Sequence, residues 1–146
     1  MQPTVTAAPL RQGRSSEKEI TDLPNDLRDA VNMTTRVRAQ ITTKGTGVFT
    51  TAFASDNMPE GVAWTVAGSI MGRGTGVRCL ISATTLYYRD PGGVATFQGI
   101  WGNPNIIVGA LSAQFALNGN SVLLQVIDDA VHTVSWDVFV EMREVR

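Results

Sequence analysis

Apolar and polar positions change rhythm near Thr34. From Arg36 onward the chain reads as short runs of alternation: Arg36–Thr42 places Val37, Ala39 and Ile41 between polar neighbours, and Gly47–Ala54 is rich in β-branched and aromatic residues. Val62–Met71 and Val77–Tyr88 predict two long antiparallel strands joined by a glycine-rich link. Asp90-Pro91-Gly92-Gly93 combines a fixed proline torsion with glycines that accept positive φ, which predicts a hairpin into Val94–Trp101. Runs at Ile106–Val108, Ala113–Leu117, Ser121–Ile127 and Val131–Met142 follow, with Asn118-Gly119 and Asp128-Asp129 as turns. In the last run Val134, Trp136, Val138, Val140 and Met142 alternate with Ser135, Asp137, Phe139 and Glu141. About eight antiparallel strands at short spacing predict an all-β domain over residues 36–146, a β-sandwich of jelly-roll type.

Residues 1–35 have a different character. Pro3, Pro9 and Pro24, the polar run Arg11–Ser16 and a shortage of large apolar side chains predict an extended or partly helical arm that cannot repay its ordering entropy alone. Ile20, Leu23, Leu27 and Val31 recur at three- and four-residue spacing, an apolar stripe suited to the arm's own domain or to a partner's groove.

Composition narrows the function. Charged residues are only 17% of the 146 and net charge is -1, so no basic field gathers phosphates and a nucleic-acid partner is not expected. Cys79 is the single cysteine and His132 the single histidine, too few for a disulfide or a zinc site, and no cofactor is expected. The N-terminus lacks the basic head and apolar run of a signal peptide, and no stretch approaches the length of a membrane span, so no membrane partner is expected.

The candidate chemical motifs fare poorly on their context. Gly72-Arg73-Gly74-Thr75-Gly76 lacks the lysine of a phosphate-binding loop and leads into a strand, which makes it a hairpin tip. His132, Ser135 and Asp137 have the residue types of a hydrolase triad but fall on one expected strand, where same-face neighbours stand about 7 Å apart. Asp128 and Asp129 suit a turn better than opposed catalytic acids. No enzyme is expected. Trp64 and Trp136 lie in strongly apolar strands and belong to the core, whereas Trp101, between Gly99 and Gly102, is the aromatic best placed to meet a partner.

Several stretches together resemble a small β-domain of tailed-bacteriophage structural proteins. These are Thr42-Thr43 with Phe49-Thr50-Thr51, Trp64–Arg73, Leu86–Thr96, Val122–Val126 and Val134–Glu141, about two-thirds of the chain. The resemblance implies a virion protein made in the host cytoplasm: a capsid decoration or cement protein, often a homotrimer, that binds the major capsid protein or another virion protein through its β-domain and arm. The alternative it implies is a tail-tip or tail-fibre knob that recognises a host surface receptor.

Overall fold

The computed structural model describes residues 34–102 and 105–146. Thr35–Glu144 form one compact unit by their contacts. The expected arm, with Ile20, Leu23, Leu27 and Val31, lies outside the described residues.

Among the described residues the alternating runs form nine strands: β1 (Thr34–Lys44), β2 (Thr50–Ala54), β3 (Val62–Gly74), β4 (Val77–Arg89), β5 (Thr96–Gly102), β6 (Ile106–Val108), β7 (Ser112–Asn118), β8 (Ser121–Ile127) and β9 (Thr133–Val145). They make two antiparallel sheets. The larger runs β1-β9-β3-β4-β5, with β6 also on β4, and the smaller runs β2-β8-β7. The fold is therefore all-β with two sheets, as the periodicity predicts. Its uneven division into six and three strands carries the jelly-roll expectation no further than a two-sheet antiparallel sandwich.

Period two decides which side chains enter the core. Val62, Trp64, Val66 and Ile70 of β3, Val134, Trp136, Val138 and Val140 of β9, and Val122, Leu124 and Val126 of β8 are all buried. Trp64 and Trp136 are core residues, as expected, and each satisfies its indole N–H: Trp64 Nε1 donates to Glu144 Oε1 at 2.7 Å, Trp136 Nε1 to Thr43 Oγ1 at 3.0 Å. Gly68, midway along β3, lets the sheets approach, since a Cβ there would lie 2.9 Å from Phe115 and 3.1 Å from Leu124 of the smaller sheet.

β3 and β4 pair in continuous register from Val62↔Arg89 to Gly74↔Val77. Only Thr75 and Gly76 turn the chain, so the expected glycine-rich tip is corrected: Gly72 and Gly74 are strand residues, and Gly72 is buried because the Trp136 indole occupies the space a side chain would take. Three other strand expectations start too early, the first being β2, which begins at Thr50 rather than Gly47. β5 begins at Thr96 rather than Val94, and β9 at Thr133 rather than Val131. Loops also feed the core, since Met58 is fully buried and Leu111 nearly so. The Met58 loop is tied down by Arg89, whose Nη1 donates to the Met58 carbonyl at 2.7 Å and whose Nε donates to that of Gly93 at 2.8 Å.

Candidate functional site

The larger sheet has one face on the core and one facing outward. Along its outer face the odd positions of β3 and β9 and the even positions of β4 alternate with the buried ones. Most are small or polar: Ala67 and Ser69 on β3, Ser82 and Thr84 on β4. Beside the partly buried Tyr88 of β4, two exposed aromatics stand among them. Trp101 of β5 is 69% exposed and Phe139 of β9 is 46% exposed.

A bulge decides where Trp101 points. Phe97, Gly99 and Trp101 share a parity, which on an unbroken strand would put both aromatics on one face. In the structure Leu86 pairs with Gly99 but Tyr87 pairs with Phe97, so Gln98 is an extra residue. Phe97 is thereby set against the buried Tyr87, ring centroids 5.7 Å apart at 60°, while Trp101 stays opposite Thr84 on the outer face.

Because β9, β3, β4 and β5 are consecutive, Phe139 and Trp101 stand on strands about 14 Å apart. Between them lies a shallow trough of about 230 Å³, floored by Ala67, Ser69, Ser82 and Thr84 and flanked by Glu141. Glu141 Oε2 accepts from Arg36 Nε of β1 at 2.9 Å. Further along the same face Met71, Leu80 and Ile106 are exposed in one cross-strand row.

Trp101 is the sequence-predicted site residue that the structure places, and it sits on this trough. The trough joins it to Phe139 and not to Tyr88, which lies four residues from Thr84 along β4. Phe139 went unrecognised in the sequence, although an aromatic on the face otherwise made of Ser135, Asp137 and Glu141 was a usable signal.

The residue types of a triad are not assembled. His132 is a loop residue rather than a strand residue, a correction with a clear cause: its N–H and its ring Nδ1 both reach Asp129, at 2.8 and 2.5 Å, and this local cap delays the start of β9 to Thr133. Hydrogen bonds from the His132 amide and then from its ring hold the Asp129 carboxyl down at about 2. Asp137 instead pairs with Arg38, Nε to Oδ1 and Nη2 to Oδ2 both at 2.9 Å.

Asp128 is a structural carboxylate, as its turn position predicts. It accepts from the amides of Gly47 at 2.7 Å, Ala130 at 3.0 Å and Thr46 at 3.1 Å. Burial pushes its carboxyl up, but the Gly47 amide, the Thr43 hydroxyl and the Ala130 and Thr46 amides together bring it down to about 2. The result clasps the β1–β2 loop to the β8–β9 loop. Among the described residues no three of His, Cys, Asp or Glu gather as a metal-binding group, and no helix is long and apolar enough to cross a membrane.

No family model matches the chain, and no curated protein does. Among solved structures, the tailspike protein of Acinetobacter baumannii phage AM24 is similar, at 11% identity and a TM-score of 0.42, over 80% of this chain. This chain spans only 26% of that protein.

Proposed function

We propose that the chain is a virion structural protein of a tailed bacteriophage that works by binding, and that the outer face of the larger sheet is its working surface. The observation that carries the binding role is the exposure of Trp101 and Phe139 on either side of a trough on a rigid sheet. Exposed aromatics held by a scaffold are the usual anchors of recognition. The trough is open and shallow, and beside it Glu141 is tied to Arg36, an arrangement without the opposed acid and base that hydrolysis needs. The virion setting rests on the resemblance carried by Thr42–Val145.

An exposed aromatic trough favours a tail-tip or fibre knob. A capsid decoration protein is the second reading, and the exposed aliphatic row Met71, Leu80 and Ile106 supports it, since such a row suits a protein neighbour. In either role the chain works as a homo-oligomer, a trimer in the decoration form, with residues 1–35 adding attachment.

Immunogold labelling of purified phage particles tests the proposal. Gold at the tail end supports the knob, and gold over the shell supports decoration. Particles without label, from lysates that contain the protein, overturn the virion assignment.

A further inference from the structure

We infer that the trough between Trp101 and Phe139 binds a neutral saccharide, one pyranose ring or the end of an oligosaccharide, an inference that rests on the reading of the outer face as the working surface. A pyranose presents two unlike surfaces, a face of C–H groups and a rim of hydroxyls. A site for it needs an exposed aromatic plane beside hydrogen-bonding groups, all on a support that holds them in place.

The trough supplies each part. Trp101 is carried by β5 in register with Thr84 of the central strand β4, so its indole stands on the sheet rather than on a loop. Its floor is low because Ala67, Ser69, Ser82 and Thr84 are small, and three of these four carry a hydroxyl that both donates and accepts. Phe139 closes the opposite side with a second apolar plane.

Charge selects the kind of sugar. Glu141 gives one oxygen to Arg36, and its second oxygen is a further acceptor for sugar hydroxyls. The ion pair balances its own charge, so the trough holds no spare cation for an acidic sugar. Of the pair, Glu141 and not Arg36 lines the trough, so a sialic or uronic acid there would meet the carboxylate first.

Size argues against a protein as occupant of this trough. A stable protein interface takes roughly 800 Å² from each partner and has a continuous apolar centre. Here the concavity is shallow and holds only about 230 Å³, and its apolar walls are separated by hydroxyls.

The test is an array of immobilised neutral, sialylated and uronic-acid glycans probed with the full chain, followed by fluorescence titration with the best neutral glycan. Trp64 and Trp136 are 6% and 1% exposed, so quenching by iodide reports on Trp101, and bound sugar should shield it. Trp101→Ala and Phe139→Ala should each weaken binding by roughly tenfold or more. Glu141→Gln should weaken neutral binding and admit acidic glycans. Leu86→Ala, on the same face but outside the trough, should change nothing.

Binding of acidic glycans alone, or undiminished binding by a folded Trp101→Ala protein, overturns the inference. If no glycan binds but Trp101→Ala abolishes sedimentation with phage particles, the saccharide is overturned while the working surface stands. Loss of self-association in that variant would likewise assign the trough to a second copy. If neither glycan nor particle binding depends on Trp101, the outer-face reading falls as well.

Discussion

Gly72 of β3 and Trp136 of β9 are fitted to each other: a Cβ at position 72 would lie 2.8 Å from Cζ3 and 2.9 Å from Cε3 of the indole, with Cys79 Sγ at 3.0 Å. The largest fully buried side chain of the core is accommodated by the absence of one on the neighbouring strand. Gly72→Ala should therefore cost about 1–3 kcal/mol by overpacking, and Trp136→Ala about 3–5 kcal/mol by leaving a cavity. Urea unfolding of both, and of the double variant, checks this. Neighbours that share one space should give a double-variant cost below the sum.

Acid should loosen the clasp at Asp128. Its folded pKa, about 2, lies below the ordinary carboxylate value, so its stabilisation is full above the unfolded value and is lost as pH falls from near 4 to near 2. Thermal unfolding from neutral pH down to pH 2 should show Asp128→Asn less stable at neutral pH. The difference from the unaltered chain should shrink across that window.

Cys79 should be chemically silent in the folded protein. It is 4% exposed, and burial pushes its thiol up despite a hydrogen bond from the Gly72 backbone, so little thiolate forms. A disulfide reagent should label it slowly in buffer and rapidly in denaturant. Fast labelling of the native chain would mean that the inner edge of β4 opens readily.

The seam between β1 and β9 should respond to salt. Arg38 and Asp137 form a two-point ion pair on an exposed surface, and the hydrogen bond from Arg38 holds the Asp137 carboxyl below its ordinary value. Arg38→Ala should lower the melting temperature slightly in low salt, and the gap should close in concentrated salt.

Alternation made the strands and the core legible, because burying one face forces period two and a slip of one residue would turn the core outward. Trp64, Trp136 and the buried valines of β8 and β9 follow directly from it. What alternation does not encode is a residue that leaves the period. Gln98 bulges, and so Phe97 and Trp101, alike in parity, part company. Gly72 reads as a turn residue until the indole above it is known. Met58 is buried from a loop because Arg89, distant in sequence, fixes that loop's carbonyl. The exposure of Trp101 was legible from its glycine neighbours at a strand end. The trough was not, because it depends on which strands lie between β5 and β9.

The order of the larger sheet also bears on how the chain reaches it. The hairpin of β3 and β4 closes through two residues, whereas among the described strands β1 lies beside β9, joined by a pair 105 residues apart in sequence, Arg36 and Glu141. Contacts between near neighbours form at little entropic cost and distant ones at more, which favours the hairpin forming ahead of the β1–β9 seam. β1 precedes β9 in the chain and so lacks that partner until β9 has been synthesised. Arg36 and Arg38 then serve a passing purpose besides their ion pairs, since charge on a waiting strand discourages it from joining another chain.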